Sequence, residues 1–408
     1  MATASAARPA SAFRSSAFAR FYLGQTFSYL GDGLRTLAIP LLVFRLTGSG
    51  TALGWTWGLE LLPYAVVSLV GGSLADRVDR RRLMLACDAL RFAVMAALTV
   101  LLWSGRLTVA EIYAGVFVLA VGGALFLGAQ TPSIPYLLGP DRAKGGIAAL
   151  QATEQSVNLV APPIGGALLA WVGPLPALAA NALAYVISQA AIQSVPTYGP
   201  DAPQRMPAWR EVRADIVAGC RFAFADASMR TLTLFSCFAN LVGSIGFIAI
   251  IPYLKREFGA GDHLVGIAFG LFAGGAAIGS LIAGRTHWPL GPALIAAWAL
   301  DAVLWLPLIW THSIVVAVTG IALASVAGGY YVTTVVAWRL RVIPYDLTGR
   351  VFGAVRFIAL AGVLPGSLLG GWCADHIGVR ETIAVSVAGL ILLTVLLLLS
   401  PAVRRERR

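Results

Sequence analysis

Apolar residues run in long blocks along the chain, and short clusters of charged or turn-forming residues separate the blocks. Each block is about 20 residues long, the length of an α-helix that crosses the hydrocarbon core of a bilayer. We therefore expect an all-α membrane protein. The pattern predicts twelve transmembrane helices, six on each side of a polar stretch: 21–44, 52–75, 83–103, 109–131, 146–170, 175–195, 231–254, 264–284, 290–310, 313–337, 350–373 and 380–400.

The polar stretch divides the chain into two parts. It contains four prolines, followed by a segment of mixed charge from Trp209 to Phe224. That composition is typical of a linker with an amphipathic helix at the membrane surface. The predicted organisation is an N-terminal tail, a six-helix bundle, a linker, a second six-helix bundle and a C-terminal tail: 1–20, 21–195, 196–230, 231–400 and 401–408.

Composition and charge support the membrane assignment. Charged residues make up 12% of the chain and hydrophobic ones 58%, against about 25% charged in an ordinary soluble domain. The net charge of +11 could suggest a nucleic-acid partner, but the basic residues lie in short loops between apolar blocks. Alternate loops carry 22 Lys and Arg on one side and 5 on the other. The positive-inside rule then predicts that both termini and the linker lie on the cytoplasmic side of a bacterial-type inner membrane. No nucleic-acid partner is expected.

A glycine pattern recurs at the ends of predicted spans 2, 5, 8 and 11. Its four copies are separated by 94 and 92 residues within the halves, and by 207 and 205 between them. Repeats that alternate between the two membrane faces are typical of secondary transporters built from two pseudo-symmetric bundles. The copies read Gly71-Gly72-x-x-Ala75-Asp76, Gly165-Gly166-x-x-Leu169-Ala170, Gly279-x-x-Ile282-Ala283 and Gly370-Gly371-x-x-Ala374-Asp375.

The loop after predicted span 2 carries a family signature. The pattern G-x-L-a-D-r-x-G-r-k is matched by Gly72, Leu74, Ala75, Asp76, Arg77, Arg80 and Arg81. With the twelve-span count, the chain resembles the major facilitator superfamily over nearly its whole length. Asp79 stands where the pattern has its second Gly, and an Asp at that position can still accept hydrogen bonds from local backbone donors.

Two further stretches refine the resemblance. In predicted span 5, Pro162, Pro163, Gly165 and Gly166 resemble the G-P-x-x-G-G core of antiporter members, although Ala161 replaces its first Gly. The first span, together with Asp88-Ala89-Leu90-Arg91, is most similar to the branch of macrolide efflux pumps and enterobactin exporters. The resemblance implies the major facilitator fold and alternating access between its two halves.

The resemblance also implies a gate at the cytoplasmic side. Asp76 is expected to contact the N-terminus of predicted span 11, where the helix dipole favours an anion. Arg350 or Arg356 would lie close by. The predicted gating motif is Gly72, Asp76, Arg77, Arg80, Arg81, Arg350 and Arg356.

Ionisable residues inside the spans are candidates for coupling, because each costs a few kcal/mol to bury in a bilayer. Asp32 lies at the middle of span 1, with Arg35 three residues on along the same face. They are either a mutually neutralised pair, or Asp32 exchanges a proton for substrate. Glu60 and Glu154 are either solvated rim charges or proton sites. Asp88 and Arg91 are expected to pair structurally.

The expected substrate is a small amphipathic molecule. Candidate cavity residues are few and largely aromatic or amide: Gln25, Tyr29, Asn158, Asn240, Tyr330 and Tyr331. Such a lining favours an amphipathic compound over a sugar, which needs more hydrogen-bonding groups. No G-x-x-x-x-G-K-[ST] phosphate-binding motif is present, so an ion gradient or the substrate's own gradient must supply the energy.

These features favour one hypothesis over two others. The leading one is proton-coupled efflux of a drug, macrolide or siderophore-like compound by a monomer that is not an enzyme and uses no cofactor or metal. The same fold also suits a proton symporter or importer. A membrane receptor that has kept the fold without transport is the third possibility.

Overall fold

A computed structural model of the chain describes residues 13, 15–75, 79–195, 209–286, 288–344 and 347–404. These residues are helical apart from short connections and contain no β-strand, which confirms the all-α expectation. The first six-helix bundle consists of α1 Ser16–Thr47, α2 Gly50–Ala75, α3 Arg80–Trp103, α4 Val109–Leu138, α5 Pro140–Trp171 and α6 Pro174–Gln193.

The linker contains α7, Trp209–Ala225. In the second bundle, α8 continues into a π-helical turn and α10 into a 3₁₀ turn, and α12 and α13 together form one span interrupted at Gly362. The elements are α8 Ala227–Pro252 with Tyr253–Glu257, α9 Asp262–Arg285, α10 Leu290–Trp305 with Leu306–Ile309, α11 Ile314–Val342, α12 Thr348–Ala361, α13 Val363–His376, α14 Val379–Leu399 and α15 Pro401–Arg404.

Ten helical stretches among the described residues are long and apolar enough to cross a membrane. The remaining two long helices of the first bundle, α2 and α5, have 26 and 32 residues. At 1.5 Å of rise per residue, both are also long enough to span the roughly 30 Å hydrocarbon core. All twelve predicted spans are therefore present as helices among the described residues.

Local side chains fix several helix ends. The Ser15 hydroxyl accepts a hydrogen bond from the Phe18 N–H at the start of α1, and Gly48 ends that helix with φ of 64°. Asp79 caps α3 by accepting from the Arg82 N–H at 3.1 Å. An aspartate at the signature's glycine position therefore serves as an N-cap, which satisfies a backbone donor that the helix itself leaves free.

The connections between helices lie at two opposite faces of the molecule, the Gly48 face and the Arg80 face. The Gly48 face carries the connections 48–49, 104–108, 172–173, 258–261, 310–313 and 377–378, and the Arg80 face carries the alternate connections and the linker. The two halves meet closely through α2 against α13 and α5 against α9. A Cβ at Gly54 would lie 2.4 Å from the Ser367 carbonyl oxygen, and one at Gly166 would lie 2.6 Å from that of Asp262. Only glycine permits these backbones to approach so closely.

The antiporter-like motif lies in the second of these contacts. A Cβ at Gly266 of α9 would meet the Pro162 carbonyl oxygen at 2.7 Å, and one at Gly270 would meet the Pro163 ring at 2.3 Å. Gly165 faces α1 at the backbone of Leu34. The motif therefore forms a tight seam between the two halves, close to the Gly48 face.

Candidate substrate cavity and charge cluster

A cavity of about 280 Å³ lies within the first bundle. Every residue that lines it comes from α1 to α5. Its polar lining consists of Gln25, Ser28, Tyr29, Asp32, Arg35, Thr36, Glu60, Tyr64, Arg91, Gln130, Glu154 and Asn158. A neighbouring cavity of about 290 Å³ shares Tyr64 and Leu127 with it and is also lined by Ser68 and Arg356. Since Ser68 lies toward the end of α2, the two cavities together extend toward the Arg80 face.

Five charged side chains form a cluster at this cavity: Asp32, Arg35, Glu60, Asp88 and Arg91. Arg35 Nη2 lies 2.8 Å from Glu60 Oε1, and its Nε lies 3.6 Å from Asp32 Oδ1. Arg91 forms an ion pair with Asp88, and its Nη1 lies 3.6 Å from Asp32 Oδ2. Asp32 therefore lies between two guanidinium groups that each have a closer carboxylate partner.

Tyr185 of α6 holds the cluster in place. Its hydroxyl donates a hydrogen bond to Asp32 Oδ1 at 2.5 Å. The Arg91 guanidinium lies over the Tyr185 ring and over the Phe126 ring, at 4.5 Å from each centroid. Stacking on aromatic faces stabilises a cation that is largely removed from water. All six helices of the first bundle therefore contribute to the cavity or to the cluster.

Exposure distinguishes the three carboxylates of the cluster. The side chain of Asp32 is 31% exposed, whereas those of Glu60 and Asp88 are 11% and 0% exposed. Asp32 is thus the carboxylate that solvent or a ligand in the cavity reaches most readily. It is also the one with the longer ion-pair distances.

Glu154 and a chain of neutral groups complete the polar lining. Glu154 has no ion-pair partner within the described ranges, although it lines the cavity. The Gln130 side-chain amide donates to the Tyr29 hydroxyl at 2.9 Å and to the Gln25 oxygen at 2.8 Å. The Gln25 amide in turn donates to Ser188 at 3.3 Å. These bonds tie α1, α4 and α6 together beside the charge cluster.

Aromatic side chains from both halves close the cavity toward the Gly48 face. Trp57 of α2 lies against Phe247 of α8, with ring centroids 4.6 Å apart. Phe247 also contacts Phe269 and Phe272 of α9. Trp57, which lines the main cavity, also lines a small apolar cavity formed with Phe247 and Phe269. The cavity therefore has a charged side in the first half and an apolar end shared by both halves.

Comparison with known proteins identifies the family. The family model described as "Transmembrane secretion effector" matches residues 7–407. The chain belongs to this family of major facilitator transporters. It is similar to the "Multidrug efflux pump Tap" of Mycolicibacterium fortuitum, with 27% identity over 387 residues that cover 92% of this chain and 93% of the pump. It also matches "Macrolide efflux protein A" of Streptococcus pyogenes, with 29% identity over 45% of each chain.

A solved structure shows the same fold. A bacterial homologue of the human lysosomal transporter Spinster, in an inward-facing and unoccupied conformation, superposes with a TM-score of 0.72 and 15% identity. The match covers 97% of this chain and 98% of that one. The family match and the many membrane-spanning helices together show a multi-pass transporter of the plasma membrane that carries a small molecule and is not an enzyme.

The structure brings together the candidate coupling residues of the transporter and adds a further ion pair between Arg35 and Glu60. Asp32, Arg35, Glu60 and Glu154 all line one cavity. The sequence left open whether Arg35 simply neutralises Asp32. The two side chains lie 3.6 Å apart, and Arg35 is closer to Glu60, at 2.8 Å. Asp88 and Arg91 pair as expected, and Arg91 also faces Asp32. Charges on three helices therefore form one electrostatic unit.

The candidate cavity residues divide between the two halves. Gln25, Tyr29 and Asn158 line the cavity. The three candidates in the second half do not line it. Tyr331 is buried against Phe235 and Trp298 and bonds to Ser236 at 2.9 Å. Tyr330 accepts from Thr286 at 3.1 Å, and Asn240 donates to the Ser236 carbonyl of its own helix at 2.8 Å.

The predicted gating motif lies partly outside the described residues. Gly72 lies near the end of α2, while Asp76 and Arg77 fall outside the described residues. Arg80 donates to the Pro132 carbonyl at 3.0 Å, and Arg81 donates to that of Gln193 at 2.7 Å. Arg350 pairs with Asp215 of α7 at 2.9 Å, and Arg356 lines the cavity nearer the Arg80 face. The contact of Asp76 with α12 stays a prediction.

Sequence reasoning missed four polar residues of the site: Thr36, Tyr64, Gln130 and Tyr185. Each is an uncharged polar side chain within an apolar helix, and such residues most often bond between helices in any membrane bundle. The charged Arg91 did give a usable signal, because an arginine in mid-span must find a partner or face water.

Proposed function

We propose that the transporter exports amphipathic small molecules in exchange for protons. The observation that carries the proposal is the charge balance at the cavity. Among the described residues, Asp32, Glu60 and Asp88 face two guanidinium groups, Arg35 and Arg91. Glu154 adds a fourth carboxylate, and Arg356 of the neighbouring cavity adds a third cation. The charged groups that line or border the two cavities therefore leave one excess negative charge.

Burying an unpaired charge in a site shielded from water costs several kcal/mol of free energy per ion. Such a site is stabilised by one added positive charge, which is either a proton or the cationic group of a substrate. Because both neutralise the same carboxylates, each weakens the binding of the other. Asp32 is the accessible carboxylate of the cluster and is the proposed point of exchange.

The shape of the cavity supports an amphipathic cation as substrate. A positive group would bind near Asp32, while an apolar portion would lie toward Trp57 and Phe247. Two relatives that cover this chain to different extents are named as multidrug and macrolide efflux proteins, which supports export. One chain provides both halves of the fold, so we propose that a monomer is sufficient.

The proposed topology puts the Arg80 face and both termini in the cytoplasm. We expect Arg106→Cys, on the Gly48 face, to react with a membrane-impermeant maleimide on intact cells. Lys144→Cys, on the Arg80 face, should react only after permeabilisation. Both side chains are exposed on the protein surface, so a difference in their labelling would report the side of the membrane and not burial within the protein. The four native cysteines are replaced in both variants, and the reverse labelling pattern would overturn the orientation.

Transport direction is tested in inverted membrane vesicles from a host without its own pumps. With an acidic lumen, we expect the full chain to accumulate a fluorescent lipophilic cation in the vesicles, and a protonophore should abolish the accumulation. Antibiotics and siderophores are tested as competitors. A proton symporter would instead lower the dye level under the same gradient. Absence of flux with every compound and gradient would favour a receptor.

A further inference from the structure

We propose that Asp375 is a clamp that holds the Gly48 face shut by capping α2 of the opposite half. Its carboxylate, at the end of α13, accepts hydrogen bonds from the backbone N–H groups of Gly50 at 2.7 Å and Thr51 at 2.9 Å. It also accepts from the hydroxyls of Ser49 at 2.6 Å and Thr51 at 2.9 Å. Four donors from the first half thus converge on one carboxylate of the second half.

This arrangement is a helix N-cap supplied from across the molecule. The first N–H groups of a helix have no partner within it, and a carboxylate there satisfies them and interacts favourably with the helix dipole. Hydrogen bonds to an ionised acceptor are roughly twice as strong as those between neutral groups. Opening the Gly48 face between α2 and α13 removes this acceptor from all four donors at once.

Arg256 reinforces the clamp from the π-helical turn after α8. Its guanidinium lies 2.8 Å from Asp375 Oδ1 and donates to the Ala374 carbonyl at 2.7 Å. It also donates to the Gly48 carbonyl of the first half at 2.5 Å. Arg256 therefore binds the C-terminal end of α13 and the connection that leads into α2, and it orients the Asp375 carboxylate between them.

A second acid contact lies beside the first. Asp262, at the start of α9, is 4% exposed and pairs with Arg45 of the first half. Its other oxygen lies 2.5 Å from Lys255. Lys255 and Arg256 are adjacent in the same turn, so each of these two acid contacts has one cation from that turn. Two carboxylates of the second half, Asp375 and Asp262, therefore bind groups of the first half at the Gly48 face.

The internal repeat gives independent support for a gating role. Gly370-Gly371-x-x-Ala374-Asp375 is the counterpart of Gly71-Gly72-x-x-Ala75-Asp76 at the opposite face. Inverted repeats place equivalent residues at equivalent positions of the two gates. A carboxylate at the end of each copy would then cap the helix of the other half, each at its own face.

The test measures the distance across the Gly48 face by pulsed electron paramagnetic resonance. Spin labels are placed at Arg106→Cys and Trp310→Cys of the full chain in nanodiscs, with the native cysteines replaced. We expect Asp375→Asn to raise the population with a long distance at least about fivefold, a typical lower bound for coupling between conformational states. Glu381→Gln, an exposed carboxylate on the same face, is the matched control and should leave the distribution unchanged.

A second variant removes the two hydroxyl donors instead of the acceptor. Ser49→Ala combined with Thr51→Val keeps Asp375 and both backbone donors, and we expect a smaller shift in the same direction. This variant carries the test if Asp375→Asn fails to fold. Unchanged distances in the folded variants would overturn the clamp. Because the measurement needs neither substrate nor gradient, its outcome is independent of the proposed proton coupling.

Discussion

Replacing Asp32 by Asn is expected to reduce proton-driven accumulation of a cationic substrate by at least about tenfold, equivalent to about 1.4 kcal/mol. Asn keeps an oxygen that accepts from Tyr185, so the local hydrogen bonding is largely retained. The variant removes the one accessible negative charge of the cluster. Arg35 and Arg91 then balance Glu60 and Asp88, and the cluster no longer attracts an added cation.

The matched control is Asp301→Asn. Asp301 is also a carboxylate within a membrane span, in α10, but it does not line the cavity. We expect this variant to keep the parental rate in the same inverted vesicles. Expression is measured alongside transport for both variants. Undiminished accumulation by a well-expressed Asp32→Asn protein would show that the exchange takes place elsewhere, with Glu154 the next carboxylate to substitute.

The twelve spans could be predicted from sequence because a bilayer imposes a simple requirement on helix length and polarity. Their ends were harder to place. α1 begins at Ser16 and α4 continues to Leu138, both beyond the predicted bounds. The polar start of α1 is helical because Ser15 caps it, and α4 continues through Pro132 and Pro135. Prolines are tolerated in membrane helices where neighbouring groups satisfy the backbone carbonyls that lose their hydrogen bonds. A hydropathy pattern does not predict such continuations.

The charged members of the site could be found from sequence, but their partners could not. An ionisable residue in a span is conspicuous by itself, whereas pairing depends on how helices rotate against each other. Asp32 and Arg35 share a helix face, yet Glu60 of α2 approaches Arg35 more closely. Tyr185 reaches Asp32 from α6, which no local spacing indicates.

Helix packing in the second half also explains why two candidate cavity residues, Tyr330 and Tyr331, do not line the cavity. A Cβ at Gly279 would lie 1.9 Å from the Val326 carbonyl oxygen, and one at Gly329 would lie 2.0 Å from that of Ala276. α9 and α11 therefore lie backbone to backbone. This contact fixes the rotation of α11 and places Tyr331 in the core of the second bundle, while Tyr330 bonds to Thr286.

Replacing Arg91 by Gln is expected to lower stability strongly, by about 3–5 kcal/mol, the range found when one partner of a buried ion pair is removed. Asp88 is 0% exposed and pairs with Arg91. Without that guanidinium, Asp88 remains as an uncompensated charge in the bundle, and the rings of Phe126 and Tyr185 lose the cation that they cover. The measurement is the thermal denaturation midpoint of purified protein in detergent.

A double substitution separates the two roles of Arg91. Asp88→Asn combined with Arg91→Gln removes both charges, so most of the lost stability should return, and the two changes should be strongly non-additive. Arg106→Gln, an exposed loop arginine, is the control for loss of a positive charge. Additive losses would show that Asp88 and Arg91 do not depend on each other. If the double variant is stable but transports poorly, the remaining defect belongs to the other contacts of Arg91, which are with Asp32 and with the rings of Phe126 and Tyr185.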